Sequence, residues 1–299
     1  MQDIEDLREI TYELTTICGA NCVMCARNQF SKPGQNMTMD EAMTYTDKAL
    51  NSGYNAIILG GMGDPLAYPH ICEFLSTVKE EYPQVSIRLT TTGQLLDEKK
   101  LACVCEHVDI LKISNYGFTK PVYEAVHRGS LVFEKVQENL MRLVEWKGRR
   151  PYVIMSYLDM DINHREVLPW VEYWTQQGLD EVNVWKAHNW GGHTAKRENI
   201  SEQETYCARV KNRHFKVWAD GTVSMCTFDC DRTLVIGDLK TEDFDVIESR
   251  YQAIKSIHDQ GGVARSCISC SVCDQIYDRT PAMLYLNENG IVIKDVIHK

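Results

Sequence analysis

Three closely spaced cysteines near the start of the chain have the types and spacing that most clearly point to chemistry. Cys18, Cys22 and Cys25 follow one another in a C-x3-C-x2-C pattern. A compact loop of this kind can wrap three thiolates around one iron–sulfur cluster, and the fourth iron of a four-iron cube then stays open to chelate a substrate or cofactor. Structural zinc normally takes four ligands in two paired motifs, so the pattern favours iron–sulfur over zinc.

A second group of cysteines occupies the last third of the chain: Cys207, Cys226, Cys230, Cys267, Cys270 and Cys273. The first two flank Gly221 in a C-x13-G-x4-C pattern, in which the glycine fits a hairpin turn with a thiolate on either side. The last three form two overlapping C-x2-C steps. Together these residues can close a four-thiolate site, either for an iron–sulfur cluster or for zinc.

The elements that must position the first cysteines are short apolar runs alternating with amphipathic segments. The runs are rich in Val, Ile, Thr and Tyr, as strands are, and cover Ile10–Ile17, Ala56–Leu59, Val85–Thr91, Val108–Ser114, Tyr152–Leu158 and Glu181–Ala187. Helices are predicted over Thr38–Ser52, His70–Glu81, Leu131–Trp146 and Arg165–Gln177. Six such units predict an α/β fold, a partial (β/α)6 TIM-like barrel, whose site lies at the C-terminal ends of the strands.

The pattern changes after about residue 190. A β-hairpin is predicted over residues 214–226 and a helix over Asp243–Asp259. We therefore expect a partial-barrel domain in residues 1–195 and a small α+β domain in residues 196–299, with the second group of cysteines in the latter.

The bulk composition limits partners and compartment. With 42 acidic and 32 basic residues the net charge is −10, which argues against nucleic-acid and anionic-membrane binding and would suit a cationic substrate. The acidic N-terminus lacks a secretory signal and no apolar run approaches the roughly 18 residues of a membrane span, so we expect a cytoplasmic protein. Disulfides are then not expected, and Cys72, Cys103 and Cys105 are predicted to be packing residues.

The C-x3-C-x2-C loop just after the first strand of a six-unit β/α chain resembles the radical S-adenosylmethionine (SAM) superfamily, over most of residues 8–187. This resemblance implies a [4Fe–4S] cluster whose open iron binds SAM, and cleavage of SAM to a 5′-deoxyadenosyl radical that abstracts a substrate hydrogen. Met24 departs from the family, in which the residue before the third cysteine is often aromatic.

The loop after the second strand resembles the GGE-P loop that binds the SAM amino group in this family, although it is displaced by one residue and has an aspartate in place of the glutamate. With two further strand ends and one arginine, the resemblance implies SAM contacts from Gly60, Gly61, Gly63, Asp64, Pro65, Thr92, Ser114 and Arg128. An ordinary βα turn and a solvated arginine are the alternatives. Substrate contacts or plain core packing are both open for Trp185, Lys186, His188 and Trp190.

The later cysteines resemble the SPASM/twitch extension of radical SAM enzymes, in the twitch form with one auxiliary [4Fe–4S] cluster. The resemblance implies Cys207, Cys226, Cys270 and Cys273 as its ligands, with Cys267 as the alternative ligand. Cys230 and Cys267 would then lie nearby without a metal, where either thiol could donate a hydrogen atom to a substrate radical.

The same resemblance implies an oxidoreductase, similar to twitch-type dehydrogenases and epimerases of aminoglycosides and aminocyclitols, which draws electrons from a flavodoxin- or ferredoxin-like donor. About 17 residues precede Cys18, which favours a small molecule, such as an amino sugar or aminocyclitol, over a ribosomal peptide. Epimerisation with a cysteine hydrogen donor and peptide modification stay open. A non-enzymatic zinc module is the alternative from another class.

Overall fold

A computed structural model describes residues 8–30, 34–194, 207–211, 215–260, 268–276, 282–287 and 290–292. Within them eleven strands form one sheet in the order β11-β10-β6-β5-β4-β3-β2-β1-β7-β8-β9. The strands are β1 Glu9–Tyr12, β2 Ala56–Leu59, β3 Ser86–Thr91, β4 Ile110–Ser114, β5 Tyr152–Asp159, β6 Glu181–Lys186, β7 Phe215–Val217, β8 Thr222–Ser224, β9 Val235–Asp238, β10 Ala282–Asn287 and β11 Gly290–Val292.

The first six strands are parallel and pair in chain order, as β/α units do. Successive residues of a strand point to opposite faces, and in β3 and β4 the fully buried positions alternate with partly exposed ones. Ile87, Leu89 and Leu111 belong to the main hydrophobic core, while Arg88 and Lys112 line a cavity. The open parallel sheet confirms the predicted partial barrel.

Ten α-helices fall within the described residues. They are α1 Arg27–Phe30, α2 Met39–Asn51, α3 Ile71–Glu81, α4 Glu98–His107, α5 Lys120–His127, α6 Phe133–Val144, α7 Val167–Gln176, α8 Ala208–Lys211, α9 Phe244–Asp259 and α10 Ile268–Val272. The start of α2 is fixed by a capping box between Thr38 and Glu41, which satisfies two otherwise unpaired backbone N–H groups.

The C-terminal segments extend both edges of this same sheet. On one edge β7 pairs parallel with β1 and continues into antiparallel β8 and β9; on the other edge β10 pairs antiparallel with β6 and then with β11. The predicted hairpin is confirmed as β7–β8, with Gly221 in its turn at φ 86°. β9, β10 and β11 were not predicted. The domain boundary expected near residue 195 lies outside the described residues.

One pair of cysteines departs from expectation. Cys72 in α3 and Cys103 in α4 form a disulfide with their Cα atoms 5.8 Å apart, which corrects the prediction that these residues only pack. The two helices contact one another on the outside of the sheet, and this proximity is not visible in the sequence. Cys105 is a buried free thiol, as predicted. No helix in the described ranges is long and apolar enough to cross a membrane.

Candidate active site

A cavity of about 640 Å3 lies at the C-terminal ends of the parallel strands. Residues at or near the ends of all six strands line it, among them Thr11, Gly60, Thr90, Ser114 and Trp185. Thiols from both cysteine groups line it as well: Cys18, Cys22, Cys25 and Cys207. This is the edge at which ligands bind in folds built from parallel β/α units.

The loop with the first three cysteines leaves the end of β1 and is fixed by backbone hydrogen bonds. Glu13 N–H donates to the carbonyl of Val217 in β7, and Thr16 N–H donates to the carbonyl of Gln35. Backbone N–H groups also point at the thiols: those of Ala20 and Arg27 lie 3.4 and 3.5 Å from Cys18 Sγ and Cys25 Sγ. Such donors stabilise sulfur when it carries negative charge.

The three thiols share a partly buried environment. Burial raises the pKa of Cys18 to about 11 and of Cys22 to about 12, and it raises the pKa of Cys25 as well. Bringing three thiolates together here therefore needs a compensating positive charge, which is what iron supplies when it displaces the protons.

One imidazole touches this loop. His127, at the end of α5, is fully buried, and its Nδ1 lies 3.0 Å from Cys22 Sγ. Its ring stacks on Tyr116 and packs against Tyr123. Burial lowers the pKa of His127 to about 4, so the ring is neutral at physiological pH. Sequence reasoning missed this contact because 105 residues separate the histidine from the cysteine.

The glycine loop after β2 packs against the cysteine loop. A Cβ atom on Gly63 would lie 2.1 Å from the carbonyl oxygen of Thr15, and one on Gly61 would lie 2.7 Å from Glu13 Oε2. The N–H of Asp64 donates to the carbonyl of Ile17 at 2.9 Å. The two glycines therefore allow the close approach of the two loops that line the cavity.

Asp64 lies at the cavity wall with its carboxylate already engaged by the protein. It accepts hydrogen bonds from the N–H of Leu66 and from the hydroxyls of Thr91 and Thr92, and from the N–H of Thr92, at 2.9–3.1 Å. These bonds hold the ends of β2 and β3 together. A role for Asp64 toward the SAM amino group would have to be shared with them, and it stays a prediction.

The other predicted SAM contacts divide into two sets. Gly60, Gly61, Gly63, Thr92 and Ser114 line the cavity. Pro65 is buried beside it, at the first position of a short 3-10 helix, and does not line it. Arg128 also does not line it: it is the exposed C-cap of α5, with φ 50°. Its position therefore does not support the predicted contact with the SAM carboxylate.

Three thiols of the second cysteine group come together around the start of α8 and the end of β8. Cys273 is close enough to Cys226 and Cys207 for their charges to interact, and burial raises the pKa of Cys226 to about 11 and of Cys273 to about 12. The N–H of Cys273 donates to the carbonyl of Cys270, one turn earlier. Cys207, Cys226 and Cys273 therefore lie near one another, their role as cluster ligands stays a prediction, and Cys267 lies outside the described residues.

Cys230, by contrast, is buried behind the cavity wall. It is 2% exposed, clusters with Ala26, Met62 and Trp218, and its thiol donates to the carbonyl of Trp190 at 3.9 Å. It does not line the cavity. This position does not support the prediction that Cys230 donates a hydrogen atom to a substrate radical.

Residues at the end of β6 and just past it border the cavity, so that substrate contact and structural packing both stay open for them. Trp185, His188 and Trp190 line it, whereas Lys186 does not. Trp190 also has a structural contact, because its indole N–H donates to the carbonyl of Met24 at 2.8 Å. Phe228 stacks on His188 with ring centroids 3.8 Å apart. The aromatic rings from these two segments therefore shape one side of the site.

Charged residues in the cavity wall were missed by sequence reasoning. Arg88 and Lys112 lie on inward-facing positions of β3 and β4, and Arg209 lies on α8. A signal was present, because a charged residue within an otherwise apolar strand is uncommon unless it is paired or functional. Glu13 was missed too: it is buried, and its carboxylate accepts from the N–H of Met62.

The thiols fit the cofactors that such a site would need. In the part of the chain that the structure describes, no three His, Cys, Asp or Glu side chains stand close enough to hold a single metal ion. A four-iron cluster is wider than one ion, so thiols spaced around the end of a cavity suit it without converging. The glycine loop next to Cys18 leaves room beside such a cluster for a chelating ligand.

Family comparison defines the class of protein. The family model "Radical SAM superfamily" matches residues 12–169, and the model "SPASM: Iron-sulfur cluster-binding domain" matches residues 207–274. The chain belongs to the radical SAM superfamily and carries a C-terminal SPASM domain. The first region therefore binds SAM and a [4Fe–4S] cluster, and the second region binds auxiliary iron–sulfur, as predicted.

Solved structures show the same fold. The complex of BtrN with AdoMet and 2-DOIA has a TM-score of 0.60 at 16% identity, over 89% of this chain and 92% of that one. SuiB of Streptococcus suis bound to precursor peptide SuiA has a TM-score of 0.68 at 10% identity, over 90% and 71%. The anSMEcpe structure with bound AdoMet has a TM-score of 0.61 at 12% identity, over 82% of each chain.

Curated relatives match over shorter stretches. An "AdoMet-dependent heme synthase" of Methanosarcina barkeri is 39% identical over 90 residues, which is 30% of this chain and 25% of that protein. A "UPF0026 protein" of Helicobacter pylori is 24% identical over 133 residues, which is 42% of this chain and 43% of that protein. The matches thus span less than half of either relative.

Proposed function

We propose that this chain is a radical SAM oxidoreductase that removes two hydrogens from a small molecule, with the auxiliary cluster as acceptor of the second electron. The observation that supports this most is the shared cavity, lined by Cys18, Cys22 and Cys25 and also by Cys207 of the second group. A substrate held there would be in reach of both cofactor sites.

When bound, SAM and the clusters would supply a 5′-deoxyadenosyl radical that takes one hydrogen atom and a redox centre that takes one electron, while one proton leaves to solvent. The chain's own residues would bind SAM and shield the reacting groups from water. The Gly60–Asp64 loop and Ser114 would hold SAM beside the first cysteines. Trp185 and Phe228 would exclude water from the reacting carbon.

The size of the site favours a small molecule. A cavity of about 640 Å3 is within the range for small ligands, and SAM would take part of it. The likeness to BtrN with 2-DOIA extends over nearly the whole of that chain, whereas the likeness to SuiB with its precursor peptide leaves more of SuiB unmatched. Peptide modification is the second candidate, and radical epimerisation is the alternative outcome in the same cavity.

Product mass separates these outcomes. Anaerobically reconstituted protein would be incubated in deuterated water with SAM, dithionite and a small-molecule fraction of cell extract, and products compared by mass spectrometry. We expect a product lighter by two hydrogens, formed in proportion to 5′-deoxyadenosine. A product of unchanged composition that carries one deuterium would instead establish epimerisation.

A cysteine variant connects this product to the second site. Cys226→Ala should still cleave SAM but lose the oxidised product, because the second electron has no acceptor. Cys105→Ala, a buried thiol of α4 outside the cavity, is the matched control and should behave like the unaltered chain. Unchanged oxidation by Cys226→Ala would contradict the electron-acceptor role. We further propose a flavodoxin- or ferredoxin-like electron donor and a cytoplasmic setting.

A further inference from the structure

Most charged side chains that line the cavity are matched by a partner. Arg88 pairs with Glu9 at 3.3 Å, and Lys216 pairs with Glu13 at 3.4 Å. The Asp64 carboxylate is engaged by threonine hydroxyls and backbone N–H groups, as described above. These charges are balanced within the protein and leave little for a ligand.

Lys112 is different. It lies in the middle of β4, level with Thr90 of β3 and one inward position before Ser114, and lines the cavity. Its Nζ lies 4.4 Å from the ring centroid of Trp185, and it forms no ion pair within 4.0 Å among the described residues, although the Glu181 carboxylate of β6 is near enough to raise its pKa. Burial and the positive charge of Arg88 lower its pKa to about 8, so it is still mainly protonated at neutral pH.

Arg209 is the second cation of this kind. Its guanidinium lies 3.9 Å from the ring centroid of Phe228, and one Nη donates to the hydroxyl of Thr227 at 3.3 Å. Its Nε is buried without a hydrogen-bond acceptor among the described residues. Arg209 is also near enough to Lys112 to lower the lysine pKa further, against the Glu181 carboxylate, which raises it, so the two positive charges repel one another across the cavity.

Two partly buried cations that repel each other are stabilised by an anion placed between them. We propose, building on the proposed function, that Lys112 and Arg209 bind an anionic group of the substrate, a carboxylate or a phosphate, with Trp185 and Phe228 against the adjoining apolar or planar part. Arginine and lysine are the side chains that bind such oxyanions, and both are anchored here on aromatic rings.

The substrate charge proposed here is opposite to the one that the net charge of the chain favours. A cationic amino sugar would meet two like charges at this end of the cavity. The net charge of −10 is summed over the whole chain, most of it in water, and exposed charges are screened beyond about 8–10 Å at physiological salt. The few buried charges inside the cavity therefore decide which ligand it accepts.

The test is calorimetric titration of the reconstituted, SAM-loaded protein with four probes of one shape. They are benzoate, phenyl phosphate, benzylamine and benzyl alcohol. We expect the two anions to bind at least about tenfold more tightly than the neutral probe, and the amine to bind most weakly. Comparison of the first two probes tells a carboxylate site from a phosphate site. Benzylamine binding as tight as the anions would overturn the proposal.

Variants of Lys112 test whether this residue causes the tighter binding of anions. Lys112→Met should weaken anion binding about tenfold or more, since a hydrogen bond to a charged group is lost, and Lys112→Arg should restore most of it. Lys120→Met, at an exposed lysine on α5 outside the cavity, is the matched control. Iron content measured on each variant shows that the cofactor sites are intact. Equal anion affinity in Lys112→Met and the unaltered chain would refute the assignment.

SAM itself carries a carboxylate, and its affinity is therefore measured on the same variants. If Lys112→Met weakened SAM binding and left benzoate unaffected, the cations would serve the cofactor and the proposal would be wrong. SAM cleavage without substrate is scored separately. Anion binding can fail while 5′-deoxyadenosine still forms, so these measurements can refute the anion site without refuting the proposed function.

Discussion

Lys216 and Glu13 form an ion pair that is almost completely inaccessible to solvent, and it supports the glycine loop. Both side chains are at most 2% exposed, and Glu13 also accepts the N–H of Met62 at 2.6 Å. Lys216→Met would leave a buried carboxylate without its counter-charge. We expect the free energy of unfolding to fall by about 3–5 kcal/mol.

Chemical denaturation of the metal-free protein measures this change. The double variant Lys216→Met/Glu13→Gln removes both charges while keeping an acceptor for the Met62 N–H, and it should recover most of the loss. If the double variant were as unstable as the single one, the pair would not be the source of the effect.

His258 makes stability depend on pH. It is 1% exposed in α9, and burial holds its pKa below the usual value. The unfolded chain then binds the proton more readily, so stability is full above about pH 6.5 and falls as the pH drops through that value. Denaturation at pH 7.5 and 5.5 should show this loss, and His258→Leu should reduce it. A pH dependence that stayed the same in His258→Leu would show that His258 is not its source.

At the scale of elements, the close approach of two loops depends on Gly63. An added methyl group there would collide with the backbone of Thr15, just before the first cysteine, whereas at Gly60 the nearest atom would be 3.8 Å away. We expect Gly63→Ala to lower the iron bound by the first site and Gly60→Ala to leave it unchanged. Iron and sulfide analysis after reconstitution checks both, and equal iron in the two variants would argue against this packing.

The local elements of this fold could be predicted from sequence, because periodicity and turn residues encode them. The six parallel strands and α2, with its Thr38 cap, follow from such patterns. The convergence of distant residues could not be predicted. The contact of His127 with Cys22 and the approach of Arg209 to Lys112 depend on how the elements pack, and no local pattern records this.

At the scale of the whole molecule, one asparagine adds to the strand pairings that join the C-terminal region to the barrel. The side-chain oxygen of Asn189, just past β6, accepts the N–H of Asp274, and its side-chain nitrogen donates to the carbonyl of Val272. The backbone N–H of Asn189 donates to the Asp274 carboxylate, and the three bonds are 2.8–3.1 Å long. The segment with Cys270 and Cys273 is thereby fixed to the rim of the cavity. This attachment, like β10 beside β6, joins segments more than 80 residues apart and was not predictable from either one.

Two cysteines only four residues apart should differ in their effect on iron content. Cys226 interacts with Cys207 and Cys273, whereas Cys230 is packed against Trp218 behind the cavity wall. We expect Cys226→Ala to lose about half of the bound iron and Cys230→Ala to keep nearly all of it. Iron loss from Cys230→Ala equal to that from Cys226→Ala would mean that the second site uses a different set of ligands.

The formation of 5′-deoxyadenosine is the direct measure of SAM cleavage by this chain. Protein reconstituted without oxygen is mixed with SAM and dithionite, and the nucleoside is measured by liquid chromatography. We expect 5′-deoxyadenosine from the unaltered chain and none from Cys22→Ala, because Cys22 is one of the three thiols at the cavity. If the unaltered chain held its full iron and sulfide and still formed no 5′-deoxyadenosine, it would not be a SAM-cleaving enzyme.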